Sequence, residues 1–227
     1  MTEVRMDRAW RSPAAWLTLL LVFATALSLD LATKSWSFRT VAGRPIELTY
    51  EQASVPSYAP PRHEPVRALP FDLLDFSLVV NHGAVFGLGQ NRRGVFVAFT
   101  IGAIAVALWV FGWWTSRSSR LAHVGIGLVL AGGIGNLYDR LAYGAVRDFL
   151  HMLPRWQLPF GLKWPGGNTE VFPWVFNLAD VELLAGMGLL LIAVRASEKH
   201  AKRRATRAEP SAPPHGAASA NPPSDPN

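Results

Sequence analysis

A chain of 227 residues with a net charge of +6, a pI near 10.2, half of its residues hydrophobic and no cysteine excludes several classes at once. Without cysteine there is no disulfide framework and no thiol chemistry. Apolar residues gathered into long unbroken blocks exclude an ordinary soluble domain, whose helices alternate wet and dry faces.

The first block, 14–32, follows Arg5, Arg8 and Arg11 and predicts a membrane span, since a bilayer core needs roughly 20 apolar residues in a helix. A cleavable export signal is the competing reading. The polar residues of "LSLDLATK" and three further blocks favour a retained span. The connection 35–93 then mixes two textures. "RPIELTYEQ" and "FDLLDFSLVVNHGAVF" are strand-like and predict a small sheet on the outer membrane face, whereas "SVPSYAPPRHEPVRALP" is proline-rich and predicts an extended loop. The second span, 94–114, contains "GVFVAFTIGAIAVALWVFGWW" without a charge. After the short link "TSRSSR" comes a glycine-rich third span, 121–138. The connection 140–173 is rich in proline, glycine and tryptophan, whose rings suit a membrane interface, and a fourth span occupies 174–194. Residues 1–201 therefore read as one four-span α-helical membrane domain, and 202–227 as a disordered cytoplasmic tail.

Arg5, Arg8, Arg11, Arg117, Arg120 and the basic run from Arg195 to Arg207 fall on one side of such a bundle, which marks that side, and both termini, as cytoplasmic. The tail lacks interleaved aromatics, so its charge predicts attraction to anionic lipid and not nucleic-acid binding.

This topology brings Asp30, Lys34, Asn136, Asp139, Arg140, Asp148, Asn177 and Asp180 to one depth near the outer surface. Asp30 and Lys34, four apart, suit an intrahelical ion pair. Asn136, Asp139 and Arg140 share a face, as do Asn177 and Asp180, while Glu182 points elsewhere and reads as structural or headgroup-facing. Two carboxylates in a water-poor site share a proton, so one activates a water while the other polarises a carbonyl. That is aspartyl protease chemistry. Spacing alone does not choose between Asp139 and Asp148 as the partner of Asp180, and Arg147 has no assigned role. His82 and His151 lack a third ligand at metal spacing, so no metal and no cofactor is expected. A carrier or proton relay also uses intramembrane aspartates, but it builds its site near the midplane from repeated halves, and no repeat is present.

Four stretches, "DLATK" at 30–34, "NHGAVFG" at 81–87, "GGIGNLYDRLAYGAVRDF" at 132–149 and "FNLAD" at 176–180, together resemble lipoprotein signal peptidase, the signal peptidase II family of aspartyl peptidases. The resemblance implies a four-helix enzyme of the bacterial inner membrane with a small periplasmic β-sheet cradle and its active site near the periplasmic face. It implies a monomer among membrane lipids that removes the signal peptide of diacylglyceryl-modified prolipoproteins, cutting just before the lipidated cysteine. The family's "VxDF" and "FNxAD" aspartates correspond to Asp148 and Asp180 as the catalytic dyad. The resemblance further implies that Asn136, Asp139 and Arg140 support the site, that Asn81, Gly83 and Asn177 surround substrate, and that Asp30 and Lys34 brace the first span. Two insertions, 54–70 and 153–173, depart from the family pattern without interrupting a motif.

Overall fold

The computed structural model describes residues 7–83 and 93–208. Helix α1, Pro13–Thr40, starts on Ser12, whose hydroxyl accepts from the Ala15 N–H at 3.3 Å, with proline at the first helical position. A short α2, Tyr50–Ala53, follows. Helix α3, Arg93–Trp109, runs on through a π-helical turn, Val110–Trp114, and α4 spans Arg120–Ala142 and α5 Leu178–Ala208. Among the described residues, Pro13–Thr40, Gly94–Trp114 and Arg120–Ala142 are long and apolar enough to cross a membrane. The apolar part of α5 carries Asp180 and Glu182. Exposed leucine, valine and phenylalanine side chains cover α1 and α3, including Leu17, Leu21, Val95 and Phe99; this surface suits lipid and not water.

Four antiparallel strands form one sheet in the order β1 (Val66–Leu69), β2 (Leu74–Asn81), β3 (Val146–Met152), β4 (Val175–Phe176). The strand expected near 74–81 is β2. The strand expected in "RPIELTYEQ" is absent. There Thr49 caps a helical turn by accepting from the Gln52 N–H, and the Ile46 N–H is drawn to the Phe38 carbonyl at the end of α1. Conversely, β1 lies inside the stretch expected as a loop. It fits between Pro65 and Pro70 because an edge strand tolerates flanking residues that cannot donate.

Other boundaries also shift. Helix α1 runs eight residues past the expected end at 32, to Thr40, and α4 to Ala142, while α5 begins only at Leu178 because Val175–Phe176 join the sheet. The outer connection 140–173 contains all of β3. Helix α5 continues to Ala208, beyond 202 where the tail was expected to begin; 209–227 and the 84–87 part of "NHGAVFG" lie outside the described residues. By internal packing the chain divides into one unit, 1–193, and a second, 194–227.

Helix α4 is the centre of the first unit. A Cβ on Gly132 would collide with the Ala179 carbonyl of α5, and one on Gly135 with the Asp30 carboxylate of α1. These two glycines therefore set how closely three helices approach. Below the sheet, Phe38, Val41, Leu78, Val80, Ala145 and Phe149 form a buried cluster that joins the end of α1 to β2 and β3.

The insertion 153–173 is folded back on itself. The Leu158 N–H donates to the Thr169 carbonyl at 2.7 Å and the Val171 N–H to the Trp156 carbonyl at 2.6 Å. Arg155 ties it to the first connection by donating to Asp75 at 2.8 Å and Asp72 at 2.6 Å. Those two acids hold its guanidinium above the ordinary range and Arg155 holds the Asp72 carboxyl below its own.

Candidate active site

Two elements deliver the acids. Asp148 sits in the middle of β3, where Val79 of β2 faces it across the ladder. Asp180 lies in the first turn of α5. Behind them, Asn136 projects from α4, and the Asp30 and Lys34 pair from α1. Asp148 and Asp180 both border one cavity of about 670 Å3, whose walls are otherwise largely apolar: Phe96, Phe99 and Thr100 of α3 and the run from Phe172 to Phe176.

All four carboxylate oxygens of the two acids accept one hydrogen bond from an amide. Asp148 Oδ2 accepts from Asn81 Nδ2 at 2.9 Å and Asp148 Oδ1 from Asn177 Nδ2 at 2.5 Å. Asp180 Oδ1 accepts from Asn136 Nδ2 at 2.9 Å and Asp180 Oδ2 from the Asn177 N–H at 3.1 Å. Asn177 thus holds both acids at once. Its own Oδ1 accepts from the Asp180 N–H at 3.2 Å, so the pair makes a reciprocal cap at the start of α5. Asn177 accordingly precedes the helix as its cap, whereas the sequence spacing placed it on the helix face beside Asp180.

The orientation of each asparagine amide is fixed by a group that can only donate. Gly83 N–H donates to Asn81 Oδ1 at 2.9 Å, and Lys34 Nζ donates to Asn136 Oδ1 at 3.0 Å. The Asp180 N–H does the same for Asn177. With each oxygen committed to a donor, each NH2 must face a carboxylate. Neutral amides therefore aim the acids without adding charge to the cavity.

Burial and then the neighbouring Asp180 charge push the Asp148 carboxyl up to about 8, against the opposing hydrogen bonds of Asn81 and Asn177 and the charge of Lys34. A carboxyl so raised carries a proton at neutral pH. An acid of that kind beside a second carboxylate can polarise a carbonyl while its partner deprotonates a water.

The remaining expected residues stand at two depths. Asn81, Gly83, Asn136 and Arg140 border the cavity. Arg140 donates to the Gly83 and Asn136 carbonyls, each at 3.2 Å, so it braces the backbone that carries Asn81's anchor. Asp30, Lys34, Asp139 and Asn177 are fully buried behind it. The expected Asp30–Lys34 ion pair forms at 2.8 Å, and Asp30 also accepts from the Ala179 N–H at 3.0 Å, tying α1 to the start of α5. Asp139 turns away from the cavity. It accepts from Arg147 through Nη2 at 2.8 Å and through the Arg147 N–H at 2.9 Å, with Lys34 Nζ 3.7 Å away. Arg147, unassigned in the sequence, is thus the partner that fixes β3 to α4. Glu182 is buried and does not face headgroups; its Oε2 has no hydrogen-bond partner among the described residues. No local pattern marks the cavity's aromatic walls, because Phe96 and Phe99 look like any other apolar residues of a span.

The chain matches the model of a family described as Signal peptidase (SPase) II over residues 22–195. It is 33% identical over 184 residues to a lipoprotein signal peptidase of Methylorubrum extorquens, covering 78% of this chain and 85% of that protein. It is 39% identical over 128 residues to a lipoprotein signal peptidase of Nitrobacter hamburgensis, covering 56% of this chain and 70% of that one. Its fold is similar to a solved structure described as a bacterial membrane enzyme determined by the in meso method at 2.3 Å, with a TM-score of 0.59 and 22% identity over 86% of this chain and 95% of that one. The carboxylate-bearing sheet and helix bundle are thus those of a membrane peptidase, and the chain belongs to the signal peptidase II family.

Proposed function

We propose that this protein is an aspartyl endopeptidase that removes the signal peptide from diacylglyceryl-modified prolipoproteins, cutting just before the lipidated cysteine, with Asp148 and Asp180 as its catalytic pair. The observation that carries the reading is the single cavity bordered by both acids, in which four amide donors hold the four carboxylate oxygens. The family membership supports the substrate class, and the apolar walls suit a signal helix and acyl chains.

In this mechanism the pair shares one proton. The ionised carboxylate takes a proton from water as its oxygen attacks the scissile carbonyl, and the protonated one donates to the carbonyl oxygen. The tetrahedral intermediate then collapses as the proton is passed to the departing amine, which leaves the pair singly protonated again. The chain's own groups suffice for each transfer. The bundle is read with four spans, α5 being the fourth, in the bacterial inner membrane with cytoplasmic termini and the cavity towards the periplasm. The enzyme works as a monomer among membrane lipids.

Purified protein reconstituted with a diacylglyceryl-modified prolipoprotein is expected to release the signal peptide, to leave the unlipidated precursor intact and to be unaffected by a metal chelator. Equal cleavage of the unlipidated precursor overturns the substrate assignment, and loss of activity on chelation with rescue by zinc overturns the mechanism.

Asn177 provides a sharper test of the site. Asn177→Asp keeps a side-chain acceptor for the Asp180 N–H but removes the donors to Asp148 and Asn136 and adds a carboxylate beside the pair. Cleavage is expected to fall at least roughly a hundredfold while the cap of α5 persists. Asn177→Ala loses the cap as well, at a further cost of about 1 kcal/mol in stability. Kinetics and thermal unfolding of the two variants separate these effects, and wild-type cleavage by Asn177→Asp rules out the positioning role.

A further inference from the structure

Ahead of β1, the segment 58–64 runs beside β2 without joining its ladder. The register of β1 with β2 ends at Val66 opposite Phe76, and Pro60, Pro61 and Pro65 have no N–H with which to carry it further. The chain therefore stands off from β2, and the gap is a groove of about 570 Å3 bordered by residues 58–64 and by Leu78, Val79 and Val80. Among the described residues, one hydrogen bond crosses from this segment to β2. His63 Nε2 accepts from the Leu78 N–H at 3.0 Å, while Nδ1 reaches the Pro61 carbonyl at 3.1 Å and so carries the ring proton.

That bond fixes which way the strand edge faces. The Leu78 N–H points into the groove, and backbone groups two residues further along a strand point the same way, so the Val80 N–H and carbonyl face it too. Nothing in 58–64 bonds either group of Val80 among the described residues. An open N–H and carbonyl on a strand edge form a template for another extended chain. Val79 borders both this groove and the cavity of Asp148 and Asp180, so the two spaces adjoin at one residue of β2.

We propose that the groove is a subsite for the substrate's main chain downstream of the scissile bond. After the lipidated cysteine the polypeptide crosses β2 at Val79 and pairs with Val80, with which one of its residues exchanges an N–H and a carbonyl bond. This rests on the function proposed above. On that reading the signal helix lies among the spans and the acyl chains in lipid, so the part after the cysteine is the one that leaves on the side of the sheet. Neighbouring strands lie about 4.8 Å apart, which puts a strand beyond β2 roughly 10 Å from Asp148 on β3. About three extended residues cover that distance. The residue paired with Val80 is therefore the third or fourth after the cysteine. Pairing through the main chain leaves its side chain free to vary but requires an N–H, which excludes proline at that place.

The test uses the full chain reconstituted with diacylglyceryl-modified prolipoproteins in which proline replaces, one at a time, the second to the sixth residue after the cysteine. Proline at the third or the fourth is expected to raise KM about tenfold with kcat nearly unchanged, and proline elsewhere in the set to have little effect. Ala59→Trp, at an exposed position on the groove wall, obstructs the groove and is expected to raise KM as much for the long substrate. It should not alter cleavage of a lipid-modified precursor that ends two residues after the cysteine. One KM throughout the proline set overturns the subsite and leaves the peptidase reading intact. So does an Ala59→Trp variant, unfolding at the wild-type temperature, that cleaves the long substrate as well as wild type or is impaired equally on both lengths. Failure of the unaltered protein to cleave either length overturns the peptidase reading, and the subsite with it.

Discussion

Asp148→Asn is expected to reduce peptidase activity at least roughly a thousandfold, and Asp180→Asn to do the same, with the double variant no worse than either single one because the two groups act as a unit. Signal-peptide release measured in reconstituted membranes decides this, and full activity in either single variant refutes the pairing. The asparagine at 148 is not a silent replacement. Both Asp148 oxygens accept from amides whose orientations are already fixed, so the new NH2 meets a donor and one hydrogen bond is lost. That costs about 1 kcal/mol.

The raised Asp148 carboxyl adds a pH signature with a definite sign. The folded protein holds this proton up to about pH 8, whereas the unfolded chain releases it near the ordinary value of 3.8. The contribution to stability is therefore complete below 3.8 and declines as pH rises to about 8, by at most ~1.4 kcal/mol per pH unit. Asp148→Asn lacks this titration, so its unfolding temperature relative to wild type is expected to improve between about pH 4 and pH 8. Activity should decline above about pH 8 as the shared proton is lost. A difference in unfolding temperature that stays constant across this range contradicts the protonated state of Asp148.

The second large effect is expected at Lys34, which reaches no substrate. Lys34 and Asp30 are both 0% exposed, and the ammonium bonds Asp30 and Asn136. Lys34→Met strands the Asp30 carboxylate inside the bundle, for a loss of about 3 to 5 kcal/mol. It also leaves the Asn136 oxygen with the Asn177 amide as its remaining donor, at 3.1 Å, so the amide that bonds Asp180 is held less firmly. Stability and cleavage should fall together. Adding Asp30→Asn removes the stranded charge and is expected to restore much of the stability but little of the activity. Thermal unfolding of the single and double variants beside their cleavage rates checks both halves; a double variant as unstable as Lys34→Met refutes the stranded-charge account.

What could be read in advance follows the range of each interaction. The i,i+4 spacing of Asp30 and Lys34 announces their ion pair, because both lie on one helix. Asn136, Asp139 and Arg140 are likewise legible as one helix face, but not their division of labour: Asn136 and Arg140 border the cavity while Asp139 is taken by Arg147. That partner comes from a strand reached only after the chain reverses at Gly144, whose φ of +83° is natural for glycine. The same reversal lays β3 beside β2, and this pairing brings Asn81 within reach of Asp148. No local pattern in "VRDFLHM" encodes that register. Helix α5 starts a few residues after 174 for a related reason: Val175 and Phe176 take partners in β3, so the helix waits until Asn177 can cap it.

The bond from the Ala179 N–H to Asp30 joins residues 149 positions apart. Contacts of such long separation form late, after the shorter-range ones. During synthesis, a chain whose first three long helices have already emerged still lacks Asn177, Ala179 and Asp180, and so lacks the cap, the tie to α1 and half of the acid pair. On the proposed mechanism, the nascent polypeptide gains no peptidase activity before its last long helix is delivered. If Asp148 and Asp180 are the catalytic pair, the order of the sequence thus withholds proteolysis until the chain is finished.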